Sequence, residues 1–237
     1  MFSYFFEKII LYLDNKSQNN NLNFIKKVYG RNLNIIFDIG CHEGETIDLI
    51  KKKFCYKKIY AFDPNKDLVN KLMTKHCDVD FINKAVGEKR CKKTYFKSQF
   101  SAINTLNKIN QSSDYYRKKS RIISLIYPKK SKNVNNLVDV ISLKEFMGGK
   151  KIKSVDLVKI DTEGYEFFVL KGIGNYLKNI KMILFEHHYD NSLLKNYKFS
   201  DINFLLDKNG FYLAYKSKMM MRNIFEYIYL NSNYFKK

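Results

Sequence analysis

The stretch "FDIGCHEGET", Phe37 to Thr46, decides how the rest of the chain is read. An apolar run beginning at Asn34 ends at Asp38, and Gly40 and Gly44 then punctuate a tight turn before an amphipathic segment opens at Glu45. A buried strand that turns through glycines into a helix is the crossover of a parallel sheet, and its ligand sits beyond the strand's carboxyl end. A dinucleotide turn asks for G-x-G-x-x-G, with a pyrophosphate over the helix N-terminus. Here Asp38 stands where the first glycine belongs. A carboxylate at that point repels a diphosphate and attracts an ammonium.

The same alternation continues outward. "NIIFDIG" (34–40), "KIYAFDP" (58–64), "VDFINKA" (79–85), "VDLVKID" (155–161) and "KMILFEHH" (181–188) are short apolar runs bounded by turns. Their Ile, Val, Leu and Phe content is that of strands buried on both faces. Helices are expected over Glu45–Lys53, Lys66–Lys75 and Glu163–Leu177, the last weakened by Gly172 and Gly174. Repeated strand and helix imply βαβ units in an open, doubly wound, mostly parallel α/β sheet. "DINFLLDKNG" reads as a helix stopped by Gly210, and "FYLAYKSK" and "NIFEYIYLN" as a closing antiparallel hairpin on the sheet edge. Residues 1–30 form a helical extension, 31–237 one domain, and 97–136 a Ser/Asn/Lys-rich insert in it.

Composition narrows the function classes. Hydrophobic residues make up 45% of the 237, enough for a large core, and no apolar run is long enough to span a bilayer. "MFSYFFEKIILYLD" lacks a basic leader and a cleavage site, so a docked helix is expected there, with a peripheral membrane-surface contact as the alternative. Cys41, Cys55, Cys77 and Cys91 make no C-x-x-C pair, which gives the expectation of a reduced, cytoplasmic protein without a zinc site. The formal charge is +20, yet only five of the 43 basic residues are arginine, the better fork for phosphates and base edges. The lysines are spread along the chain, so the charge argues weakly for nucleic acid and leaves an anionic substrate or surface open.

Acids gather where the strands end. Asp63, in "YAFDPN", is placed to accept both hydroxyls of a ribose. S-adenosylmethionine combines such a ribose with a cationic methionine half and no phosphate, which suits the pair Asp38 and Asp63. In "KIDTEGYE" Asp161 is the tip of a fourth strand and a candidate for chemistry. Glu163 falls to capping or to the site, and Glu166 to structure. His187 or His188, at the tip of the fifth strand, can serve as a general base near neutral pH. No ligand spacing calls for a metal.

The order "IIFDIGCHEGET", "AFDPN", "FINKAVG", "VDVISLKEF", "VDLVKIDTEGYEFFVLKG", "ILFEHH" resembles the FkbM-type methyltransferase family over residues 33 to 215. The resemblance implies the class I, S-adenosylmethionine-dependent methyltransferase fold, Rossmann-like with a seven-stranded sheet, and O-methylation of a hydroxyl on a sugar, glycan or related small molecule. It implies that Asp38, Gly40 and Gly44 hold the methionine and ribose parts, that Asp63 takes the ribose hydroxyls, and that Asn83 to Ala85 flank the adenine. Asp161 would sit beside the reacting methyl. From the residues themselves, Asp161 or His187 is expected to take the acceptor's proton. The chain departs from the family at Cys41-His42, where Ala-Asn is usual, so His42 changes the donor set at the cofactor.

Other classes fit less well. Amino-methylation of bases relies on an N-P-P-Y-like loop, and the only prolines here are Pro64 and Pro128. A nicotinamide oxidoreductase is disfavoured by Asp38. A nucleic-acid methyltransferase and a non-catalytic cofactor-binding scaffold stand as the alternatives. The acceptor and the oligomeric state are not written in the sequence.

Overall fold

The computed structural model describes residues 2–97, 104–114, 116–118, 121, 134–219 and 223–236, and only the backbone of 2–15, 97 and 134. In chain order these form α1 (Phe2–Tyr29), β1 (Asn32–Ile39), α2 (Glu45–Lys53), β2 (Cys55–Phe62), α3 (Lys66–Lys75), β3 (Asp80–Ile82), β4 (Ala85–Val86) and β5 (Cys91–Lys97). There follow β6 (Val134–Ile141), α4 (Leu143–Gly149), β7 (Val155–Ile160), α5 (Glu166–Ile173), β8 (Ile180–His188), α6 (Phe199–Lys208), β9 (Phe211–Lys218) and β10 (Ile224–Asn231).

The main sheet has seven strands in the order β3-β2-β1-β7-β8-β10-β9. The strands from β3 to β8 run parallel, and β10 and β9 add antiparallel. The order reverses between β1 and β7, the point at which open α/β sheets form their binding crevice. The closing hairpin sits at the sheet edge as expected. Its second strand, β10, lies between β8 and β9, so β9 is the edge on that side and β3 on the other.

Period two along each strand divides the core. Phe37, Ile39, Val158, Ile160, Ile183 and Phe185 pack on one face with Val169 and Leu170 of α5 and Leu206 of α6. Ile36, Leu157, Met182, Leu184 and Ile228 pack on the other with Ile47 and Ile50 of α2 and Leu22 and Ile25 of α1. Leu22 and Ile25 are at most 1% exposed, so each contributes about 2 kcal/mol toward fixing α1 on the sheet. Helix α1 is thus docked by its second half. The side chains of 1–15, on which any membrane contact would depend, lie outside the described residues.

Two expectations need correction. The helix expected over Glu163–Leu177 spans only Glu166–Ile173, followed by a 3-10 turn over Gly174–Asn179. Glu163 and Gly164 have left-handed backbones (φ +49° and +87°), which delays the helix, and Gly174 (φ +57°) ends it. Strands on the two sides of the insert also form a second, three-stranded sheet, β4-β6-β5, not anticipated as such. Part of the 97–136 insert lies outside the described residues. Thr105 bridges back to Phe96 and Ile109 to Leu193, which brings this part of the insert onto the main domain.

Candidate active site

The turn after β1 is shaped by close approach. Gly40 has φ +81°, and a Cβ on it would lie 1.8 Å from the carbonyl oxygen of Asp161. The Asp161 amide donates to the Ile39 carbonyl at 2.9 Å and the Gly40 amide to the Phe62 carbonyl at 2.8 Å, so the ends of β1, β2 and β7 are tied together. Gly44 (φ +84°) caps α2 and packs on Leu72 and His76 rather than facing ligand space. Beyond the tied strand ends opens a crevice of about 160 Å³ whose walls include Gly40, His42, Asp63, Ala85, Asp161 and Glu186.

Asp63 is buried at this rim. Its Oδ2 accepts from the His42 amide at 3.1 Å and its Oδ1 from the Asn65 amide at 2.8 Å. Burial pushes its pKa up to about 6, against the opposing effect of those amides. Asn83 does not wall the crevice; its side chain donates to the Asp63 carbonyl at 3.0 Å and holds that turn from behind. His42, itself in a left-handed conformation (φ +46°), pairs through Nδ1 with Glu45 Oε1 at 3.1 Å. Burial disfavours the imidazolium, but Glu45 and Glu43 outweigh it and raise the pKa.

Asp38 corrects the picture of a bare acidic cradle. It is fully buried and does not line the crevice; its Oδ1 lies 3.4 Å from Lys159 Nζ. Lys159 Nζ also donates to Asp161 Oδ2 at 3.2 Å. Burial opposes the ammonium, yet Asp161, Asp38 and Glu186 hold its pKa above the ordinary lysine value. The register explains the grouping. Asp38 pairs with Lys159 across β1 and β7, and Glu186 with Glu226 across β8 and β10. A charged row therefore crosses four adjacent strands on the face that α1 covers. Ser17 of α1 donates to Glu226, Ser217 lies 3.4 Å from the same carboxylate, and Gln18 walls the crevice. Sequence reading missed Lys159. Its signal was a lone lysine in a run buried on both faces, where a charge must find partners.

The three acids of "KIDTEGYE" have separate tasks. Asp161 is on the crevice, with Oδ1 lacking a hydrogen bond among the described residues. Glu163 also lines it, and its Oε2 lies 3.3 Å from His188 Nε2. Thr105 of the insert donates to the Glu163 carbonyl at 2.7 Å, so the insert helps hold this loop. Glu166 is neither solvated nor paired with lysine. It is fully buried and accepts from the Gly164 amide at 2.8 Å and the Tyr197 hydroxyl at 2.9 Å, closing the loop.

His187 is not brought to the crevice. Its side chain shares the Phe185 face and packs against Tyr189, Tyr197 and Phe199, with ring centroids 4.8–6.0 Å away. Burial, with Lys195 and His188 adding to it, lowers its pKa to about 3. His188 points the other way. Burial opposes its charge, but Glu163 and Asp190 raise its pKa. Among the described residues no group of three His, Cys, Asp or Glu side chains is set to hold a metal.

Residues 38–213 match the methyltransferase FkbM domain. The chain belongs to this family. The FkbM match covers the crevice from Asp38 to Glu186 but excludes α1 and Met219, which complete its walls. A comparison with curated proteins returns no match. Solved structures share the FkbM chain's fold at low identity. Magnesium protoporphyrin IX methyltransferase from Synechocystis PCC 6803, with bound SAM, aligns with a TM-score of 0.51 at 11% identity, covering 93% of this chain and 81% of that one. Methyltransferase FkbM from Methylobacillus flagellatus KT gives 0.50 at 12%, covering 83% of this chain and 43% of that one. N-methyltransferase NodS from Bradyrhizobium japonicum WM9 gives 0.51 at 8%, covering 92% and 96%. Among the described residues no helix is long and apolar enough to cross a membrane.

Proposed function

We propose that this FkbM-family chain is an S-adenosylmethionine-dependent methyltransferase acting on a hydroxyl of a sugar, glycan or related small molecule. The observation that carries the reading is the switch-point crevice that joins Gly40, Asp63 and Asp161. The cofactor fits this donor set. Gly40 lets the Asp161 carbonyl close onto the β1 turn and so shapes the crevice wall, Asp63 offers a carboxylate for paired hydroxyls, and Ala85 gives a small apolar contact for a flat ring. A diphosphate would meet Asp63, Asp161, Glu163 and Glu186 instead of amide donors. When bound, S-adenosylmethionine supplies a methyl group already activated as a sulfonium.

The chain's own residues then align and shelter the acceptor. Lys159 fixes Asp161 and keeps a counter-charge beside it, and Asp161 Oδ1 is left to orient the acceptor hydroxyl. The same carboxylates argue against a polyanionic nucleic acid entering here, despite the net charge of +20. Calorimetry with S-adenosylhomocysteine and NAD separates the cofactor classes, and binding of NAD alone would refute the reading. Asp161→Asn should lower turnover on hydroxyl acceptors far more than it lowers cofactor affinity. Cofactor binding with no methyl transfer to any acceptor would favour the scaffold alternative.

A further inference from the structure

Glu186 is a buried acid that the reading above leaves without a task. It stands at the carboxyl tip of β8, lines the crevice, and is 7% exposed. No hydrogen bond to its carboxyl is found among the described residues, whereas Asp161 is already engaged by Lys159 and Glu226 by Ser17. Acids face it from several elements: Asp161 on the β7 tip, Glu163 in the loop beyond, and Glu226 opposite on β10. Lys159 faces it as a cation shared with Asp38 and Asp161, and Lys84 stands on the wall of the same crevice. Among the described residues helix α1 contributes the uncharged Ser17, Gln18 and Asn21, and on Glu186's own strand His187 turns to the opposite face while His188 pairs with Glu163 at 3.3 Å. One ammonium shared by Asp38, Asp161 and Glu186 cannot neutralise all three, which favours a proton kept among them. Burial, with Asp161, Glu226 and Glu163 adding to it, raises the proton affinity of Glu186 well above that of an ordinary carboxylate.

We propose that Glu186 is the proton acceptor of the methyl transfer: its carboxyl is protonated in the free protein, loses that proton when a sulfonium enters the crevice, and then takes the acceptor's hydroxyl proton. This rests on the cofactor reading. In the chemical step the acceptor oxygen–methyl bond forms as the methyl–sulfur bond breaks. The electron pair of the broken bond stays on sulfur, and the hydroxyl proton passes to Glu186. One positive charge and one carboxylate disappear together, so the buried row returns to its starting charge.

The test needs no acceptor. Binding heats of S-adenosylmethionine and S-adenosylhomocysteine, measured in buffers of different ionisation enthalpy, give the protons released by each. Both ligands have the same amino-acid end, so its ionisation cancels in the difference. Wild type should release up to about one proton more with the sulfonium than with the thioether, and Glu186→Gln should abolish that difference. Glu226→Gln removes the facing carboxylate and should move the release to lower pH. It also serves as a check should Glu186→Gln fold poorly. Equal release by the two ligands in wild type, or an undiminished difference in Glu186→Gln, overturns the proposal. Failure of both ligands to bind overturns the cofactor reading instead.

Discussion

Three glycines separate the contributions that hold the strand tips together. Gly149 has an ordinary φ, and a Cβ on it would meet nothing within 4 Å. Gly30 has φ +96° with the same open space, so alanine there should cost only the left-handed penalty of about 1–2 kcal/mol. Gly40 adds a collision at 1.8 Å to φ +81°, and the atom it meets is a backbone carbonyl held in the β1–β7 register. Overpacking of that kind costs a further 1–3 kcal/mol or so, for a total of about 3 kcal/mol. In a chain of 237 residues that corresponds to a fall in Tm of about 6–12 °C. Gly149→Ala should stay within about 0.5 kcal/mol of wild type, which calibrates the series. Urea unfolding gives the free energies, and titration with S-adenosylhomocysteine gives the effect on the crevice. Should Gly40→Ala prove no worse than Gly30→Ala, the tight approach of Asp161 would not be a real constraint.

Other outcomes follow from the charged row and its neighbours. Lys159→Met leaves Asp38 and Asp161 without their ammonium and should cost about 3–5 kcal/mol, with the loss growing as pH rises; urea unfolding across pH checks it. Asp63 is ionised only above about pH 6, so cofactor affinity should rise through that value as ribose hydroxyls gain a carboxylate, and Asp63→Asn should flatten the profile. The sign for stability of the free protein is opposite. A raised folded pKa favours the native state at low pH, and that contribution disappears as pH climbs past about 6. His187→Leu should lower Tm through its aromatic neighbours while S-adenosylhomocysteine binds within about twofold of wild type, and a large loss of affinity would place the ring at the site after all.

The parts legible in the sequence were those governed by local rules. Helices α2 and α3 have the bounds expected from the turns at Gly44 and Pro64 and from their apolar spacing. Strand β7, buried at every position, was equally plain. The second sheet was hidden because β5, "CKKTYFK", and the start of β6 are half solvated, so lysine and asparagine mask their alternation. That neither His187 nor His188 lines the crevice, while Glu186 does, was beyond local rules. It depends on parity across the sheet, since Phe185 and His187 share one face and Leu184 and Glu186 the other. Lys159 was overlooked because two of the acids around it, Asp38 and Glu186, come from strands distant in sequence and Asp161 alone gave no sign of the cluster.

Helix α1 lies outside the matched segment, yet Gln18 walls the crevice from it and Ser17 donates to Glu226. The parallel strands can therefore preserve their chemistry while a single appended helix is redrawn. One wall of the crevice is thus built by a segment the family match does not include, and that wall can change while the strand tips keep their register.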